Sequence, residues 1–335
     1  MRLPKPPKHP PFEPLFRSGH ISTLAANFWT RPESVDRWPV EDVYYEPEPG
    51  IKILVRVQSP EKPVGELILV HGLEGSSESG YARSMAAAAL AAGFRTHRYN
   101  MRGCGASPWS PRGNYHSGLT SDLLMVARER RKVSGLPIFA VGYSLGGNMV
   151  LKLAGELGEH AHEVFESVCA VSTPIDLGAS VDDTERPSNI IYRKRFVNRL
   201  KLRVKRRNSI APDLFPLEPL PKVKTIRDFD EHYTSRIFGF GSAENYYRTQ
   251  SSNQFLQHIR IPTLVVQAKN DPMIPFKIYD HPAFRENPHL HLIAVEHGGH
   301  LGFLARGKAR FWLDHVIVDW LKAHMPEMAA TPDVP

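Results

Sequence analysis

The sequence predicts an α/β fold with a mostly parallel central sheet, helices on both faces and an inserted cap. Three observations carry this. Strand-like and helix-like patterns alternate along most of the chain, which argues for parallel strands joined by crossover helices. One apolar run passes through Gly142-Tyr143-Ser144-Leu145-Gly146 directly into a helical pattern. One long segment, from about 176 to 255, breaks the alternation.

Taken in order, the proline-rich start through Pro14 reads as an extended arm, and 1–40 is assigned to an N-terminal arm. Strands are expected near 41–47, 51–58, 65–71, 95–99, 137–143, 166–172, 262–268 and 289–296, the first two as an antiparallel hairpin. Helical patterns occupy 79–92, 118–134, 145–157, 276–285 and 306–323. The core is thus placed at 41–175 and 256–324. Residues 176–255, rich in Pro, Arg, Asp and aromatics, form the cap, and 325–335 a flexible tail.

The Gly-x-Ser-x-Gly junction has the form of a nucleophile elbow, a sharp strand-to-helix turn that lifts a serine above the sheet. Glycines flank Ser144 because side chains there would block the approach of strand and helix. A serine hydroxyl needs an adjacent base, and the base needs a group to orient it. On sheets carrying such an elbow, acid and histidine follow the serine in that order.

Candidates stand in the expected order. The apolar run Thr263 to Ala268 leads into Lys269-Asn270-Asp271-Pro272, which sets Asp271 just past a strand end. A second run, Leu290 to Val295, leads into Glu296-His297-Gly298-Gly299-His300. His300 lies in a glycine-flanked loop suited to a base that reaches back to the elbow. Asp176 competes with Asp271, and His297 with His300. The oxyanion donors are assigned to the backbone N–H groups of Leu145, which follows the nucleophile, and Leu73, in the His71-Gly72-Leu73 turn after an early strand. His71 is read as ordering that loop rather than as a base.

Composition narrows the class. At 335 residues, with 41% hydrophobic and 23% charged residues, the chain suits a soluble globular protein. Two cysteines, Cys104 and Cys169, imply no disulfide framework. No apolar run approaches a membrane span, and the basic start lacks a signal-peptide core, so a cytoplasmic location is expected. The net charge of +7 is local: residues 193–207 hold nine basic and no acidic residues, and removing them leaves −2. Nucleic-acid binding is therefore not expected. The basic stretch has mixed apolar periodicity and reads either as a solvated helix face or as a weak peripheral contact with anionic lipid headgroups.

Several motifs resemble the YheT-like branch of the α/β-hydrolase superfamily, which includes abhydrolase-domain lipid hydrolases and yeast medium-chain alcohol acyltransferases. They are Ser18-Gly19-His20-Ile21-Ser22-Thr23, His71-Gly72-Leu73-Glu74-Gly75, Asn100-Met101-Arg102-Gly103, Tyr115-His116-Ser117-Gly118 with Asp122, and the elbow extended through Asn148. Thr225-Ile226-Arg227-Asp228-Phe229-Asp230, Tyr246-Tyr247 and Gly298-Gly299-His300-Leu301-Gly302-Phe303 complete the set.

The resemblance implies an α/β-hydrolase fold and a triad of Ser144, Asp271 and His300. His116 with Asp122 resembles an acyltransferase His-x-Asp motif at longer spacing and is read as structural, as are Arg102 and Asp228. The expected activity is hydrolysis of apolar, short- to medium-chain or lipid-like esters through an acyl-enzyme, with no cofactor or metal. Acyl transfer to an alcohol is the first alternative, and a non-catalytic binding protein on the same scaffold the second.

Overall fold

Leu67 and Leu69 enter one hydrophobic core, while Ile68 and Val70, their neighbours on the same strand, enter another. That two-residue alternation places packed layers on both faces of a central sheet. The structure is a computed structural model and describes residues 9–29, 34–307 and 309–326. The expected basic start (1–8) and most of the expected tail (327–335) lie outside the described residues.

Among the described residues, eight strands form one sheet: β1 (Glu41–Glu48), β2 (Ile51–Gln58), β3 (Gly65–Val70), β4 (Phe94–Tyr99), β5 (Ile138–Tyr143), β6 (Ser167–Val171), β7 (Thr263–Ala268) and β8 (Leu290–Val295). Their order is β1-β2-β4-β3-β5-β6-β7-β8. The β1–β2 and β2–β4 pairs are antiparallel and all other neighbours parallel. Every expected strand is present, with ends displaced by at most one residue.

Helices α1 (Gly19–Phe28), α2 (Gly80–Ala91), α3 (Ser121–Ser134) and α4 (Leu145–Leu157) precede β6. Between β6 and β7 lie α5 (Leu177–Thr184), α6 (Ile190–Asn208), α7 (Ile226–Phe229), α8 (Ser235–Ile237) and α9 (Ala243–Gln250). Helices α10 (Ala283–Glu286) and α11 (Trp312–Ala323) flank β8. The Ala-rich face of α2 packs with Trp312, Ile317 and Trp320 against Leu67, Phe139 and Val141. Leu123 and Val126 of α3 and Met149 and Leu153 of α4 cover the opposite face.

The helices between β6 and β7 have a small core of their own, built on Val197, Leu200, Val204, Phe215, Val223 and Phe229. The basic stretch within it is one continuous helix. Its mixed periodicity has a physical cause: Arg203 is buried at 8% exposure, whereas neighbouring Leu202 is 51% exposed. The Arg203 guanidinium sits 4.5 Å from the Tyr115 ring centre and pairs with Glu74. Arg207 is buried between the rings of Trp109 and Phe215. Two of the nine basic residues are therefore internal packing groups.

Three expectations require correction. The stretch assigned to an arm contains α1, capped by Ser18, whose side chain accepts from Ile21 N–H. The helix expected over 276–285 is a 3-10 turn, Phe276–Asp280, followed by the short α10, with Pro282 between them. The last helix starts at Trp312 rather than 306. The preceding loop is held by bridges between Leu304 and Phe311 and between Pro14 and Ala305, with Gly307 at φ +80°.

Candidate active site

Chain order around β3 fixes where a site can form. β3 is flanked by β4 on one side and β5 on the other, so successive connections diverge and leave a crevice at the strands' carboxyl ends. Ser144 lies just past β5, and the Gly72–Leu73 turn just past β3.

Ser144 holds φ 53° and ψ −121°, a backbone conformation rarely tolerated by a side-chain-bearing residue. Its N–H donates to the Val171 carbonyl at 2.8 Å, anchoring the turn to β6. A Cβ on Gly142 would strike the Gly146 carbonyl, and one on Gly146 would strike the Val70 and His71 carbonyls. Both glycines are thus demanded by close backbone approach.

The loops after β7 and β8 bring two further residues to this turn. His300 Nδ1 lies 2.8 Å from Asp271 Oδ2, and Nε2 lies 3.0 Å from Ser144 Oγ. An ionised carboxylate only accepts, so the Asp271 contact places the ring proton on Nδ1 and leaves Nε2 as an acceptor for the serine hydroxyl. Asp271 also accepts from the backbone N–H groups of Met273 and Ile274 at 2.9 and 3.2 Å, and from Gln267 Nε2 at 3.3 Å. The competing residues make other contacts. Asp176 caps α5 by accepting from Ala179 N–H, and His297 Nδ1 faces Asn270 at 3.4 Å.

Neighbours that the sequence reading left unassigned hold these loops. Thr23 Oγ1 accepts from His300 N–H at 2.8 Å. Asn270 Oδ1 accepts from the N–H groups of Gly298 and Gly299, and its amide donates to the Arg17 carbonyl. Tyr279 Oη donates to the Thr173 carbonyl and contacts Gln267 Oε1 at 3.0 Å. The available signal for Thr23 was its place at the end of the Ser18-Gly19-His20-Ile21-Ser22-Thr23 motif.

Leu73 and Leu145 both line the cavity beside Ser144. Leu145 opens α4, so its N–H has no intrahelical acceptor. In the opposite turn, Gly72 N–H donates to Tyr81 Oη, Glu74 N–H to Tyr115 Oη, and Gly75 N–H to the Gly72 carbonyl. Among the described residues, the Leu73 N–H alone in that turn is left without such a partner. His71 orders the same loop: Nε2 accepts from Met101 N–H at 3.2 Å, and Nδ1 donates to the Gly72 carbonyl at 2.8 Å. Burial pushes its pKa down to about 4, which keeps the ring neutral.

The cavity above Ser144, about 120 Å³, is largely apolar. Val181, Phe196, Leu200, Ile226, Phe229 and Met273 form much of its wall. His116 and Asp230 also border it. His116 Nδ1 accepts from Gly118 N–H, and burial lowers its pKa to about 3. It makes no hydrogen bond with Asp122, which is buried in a two-pronged pair with Arg102, both oxygens at 2.6 Å. Asp228 closes a capping box with Thr225 at the start of α7. Among the described residues, no group of three or more His, Cys, Asp or Glu is arranged to hold a metal ion. None of the described helices is long and apolar enough to cross a membrane.

Comparison with known proteins bears on the fold and the family. The family model described as the alpha/beta hydrolase fold matches residues 66–306. The putative esterase YheT of Escherichia coli is 34% identical over 273 residues, covering 80% of this chain and 79% of that protein. The medium-chain fatty acid ethyl ester synthase/esterase 2 of Saccharomyces cerevisiae is 28% identical, covering 71% of this chain and 58% of that one. An esterase structure from Pyrococcus furiosus aligns with a TM-score of 0.59 at 15% identity, over 88% of this chain and 95% of that one, a likeness of fold. With an elbow at the crevice and a family match across most of its length, the chain belongs to the α/β-hydrolase fold family, in its YheT-like branch.

Proposed function

We propose that this chain is a serine carboxylic-ester hydrolase acting through an acyl-enzyme on esters with an apolar, short- to medium-chain or lipid-like acyl group. The observation that carries this reading is one imidazole, His300, bridging Asp271 and Ser144 at 2.8 and 3.0 Å on the floor of an apolar cavity.

His300 Nε2 takes the serine proton as Ser144 Oγ attacks the ester carbonyl. Asp271 holds the ring's tautomer and stabilises the imidazolium that forms. The carbonyl oxygen, now an anion, is met by the N–H groups of Leu73 and Leu145 at the amino end of α4, where the helix dipole favours negative charge. His300 then protonates the departing alcohol. Water enters, loses a proton to His300 and attacks the acyl-enzyme. Collapse of the second tetrahedral intermediate frees the acid and restores Ser144.

Residues 176–255 act as the cap of this site. Their apolar side chains exclude water around the acyl group and strengthen the charge interactions beneath. The cavity resembles in size the roughly 150 Å³ engineered apolar cavity that admits a benzene ring, which favours the short-chain end of that range for the part of the acyl group held there.

The test is hydrolysis of p-nitrophenyl esters from acetate to palmitate by wild type and Ser144→Ala. Turnover should fall on the order of 10⁶-fold in the variant, with a short- to medium-chain optimum in the wild type. A variant as active as wild type would refute the mechanism.

Transfer of the same acyl group to an alcohol is a second reading, favoured by the synthase/esterase name of the yeast relative. New ethyl esters formed on adding ethanol, at the expense of free acid, would select it.

A further inference from the structure

The catalytic cavity opens into a groove that runs between α1 and α6. Leu24 and Asn27 line it from α1, Arg195 and Arg199 from α6, and Ser144 and His300 lie at its base. The two helices are tied together: the rings of His20 and Tyr192 stack in parallel at 5.7 Å, with Nδ1 and Oη 3.2 Å apart.

Both helices turn unusual faces to solvent beside this groove. On α1, Ile21, Leu24 and Phe28 follow i, i+3, i+7 spacing and form one apolar stripe. Phe28 is 85% exposed and Ile21 52%. On α6, Arg195, Arg199, Leu202 and Arg206 follow i, i+4, i+7, i+11 spacing and are all exposed, with Ile191, Lys194 and Lys205 beside them. This second stripe continues from the catalytic groove into a neighbouring one lined by Arg199, Leu202 and Arg206.

A solvated helix face usually carries counter-charges three or four residues away. Here no acidic residue occurs between Glu185 and Asp213. Among the described residues, Lys194, Arg195, Lys205 and Arg206 make no ion pair. Basic groups interleaved with exposed aliphatic and aromatic ones match a surface that is anionic outside and apolar just beneath. A nucleic acid would meet the charges but give the α1 stripe nothing to bury.

We propose that α1 and α6 together form a docking surface for an anionic phospholipid bilayer, which sets the mouth of the catalytic groove against the membrane. The placement deepens the ester-hydrolase reading and rests on it for its purpose, since it delivers an apolar ester directly to Ser144. The binding itself does not depend on catalysis.

The test uses the full chain carrying Ser144→Ala, sedimented with vesicles of phosphatidylcholine alone or mixed with phosphatidylglycerol. Binding is expected only with the anionic mixture and should weaken with salt. Each basic residue near such a surface contributes about five-fold in partitioning, so Lys194→Glu, Lys205→Glu and Arg206→Glu together should lower it at least about 100-fold. Phe28→Ser should also weaken it. Neither set, in the Ser144 background, should alter turnover of soluble p-nitrophenyl esters, which checks folding. Equal partitioning to neutral and anionic vesicles, no partitioning, or tighter binding of duplex DNA would overturn the docking surface. An active enzyme that ignores vesicles defeats this proposal alone. Vesicle binding by a wild type inert toward every ester defeats the hydrolase reading and leaves the surface standing.

Discussion

Thr23 Oγ1 accepts the backbone N–H of His300 at 2.8 Å, joining residues 277 positions apart. An N-terminal helix outside the family-matched core thereby holds the loop that carries His300. Gly19 supports the same junction, since a Cβ there would strike the Asn270 carbonyl beside Asp271. On the proposed mechanism Thr23 is a positioning residue. Thr23→Val keeps the shape and removes the acceptor. It should lower kcat by about 10- to 100-fold, the scale of a sub-ångström to ångström misplacement, with KM little changed. Thr23→Ser should restore most of the rate. Equal loss in both variants, or a change in KM alone, would remove Thr23 from the site.

How much of this was legible in the sequence follows from local chemistry. The strands were readable because parallel strands buried on both faces are continuous apolar runs, as in Leu67–Val70 and Phe139–Val141. The elbow and the two loops were readable because each combines a strand end with glycine or proline. α1 was obscured by the prolines before it and by a face that leaves Ile21 and Phe28 in solvent. α6 was obscured for the opposite reason, with arginines turned inward and a leucine outward. Tertiary partners set the α6 pattern: Glu74 and Tyr115 make the Arg203 position internal, and no spacing rule reports them.

Asp122 offers a separation of structural from catalytic roles. Its carboxylate and Arg102 form a buried pair, reinforced by Glu48 at 2.7 Å from the same guanidinium. Breaking a buried pair costs about 3–5 kcal/mol when the remaining charge is uncompensated, and the Glu48 contact to Arg102 sets the loss here toward the lower end. Asp122→Ala should therefore show a large loss of unfolding free energy in denaturant titration, with ester turnover per folded molecule preserved. Normal stability with lost transfer or hydrolysis would instead place Asp122 with His116 in catalysis.

The acyl preference should respond to the cavity wall. Val181 and Phe196 both line the cavity and are only half-buried, each at the margin of a hydrophobic cluster rather than inside it. Val181→Phe should move the optimum toward acetate, and Phe196→Ala toward longer chains. A methylene in an apolar pocket is worth about 10-fold or more in specificity, so kcat/KM ratios across the ester series should shift by at least that amount. Unchanged ratios in both variants would put the acyl group outside this cavity.

Asp230 makes the cavity's stability depend on pH in an unusual direction. It is buried at 8% exposure and accepts from Thr234 Oγ1 at 2.6 Å and Tyr247 Oη at 2.7 Å. Burial outweighs those hydrogen bonds and raises its pKa from 3.8 to about 6. The folded state therefore holds this proton more tightly than the unfolded chain does. Between those two values the folded state is the more protonated, so stability falls as pH rises through the window and stays lower above it. The upper bound, from about 1.4 kcal/mol per unit, is about 3 kcal/mol. Asp230→Asn keeps the shape, and either hydroxyl can turn to meet the amide. Subtracting its unfolding free energy from that of wild type cancels the groups that titrate alike in both. That difference should decline between pH 3.8 and about 6 and then level off. Parallel profiles would mean that Asp230 ionises in the cavity wall as it does in water.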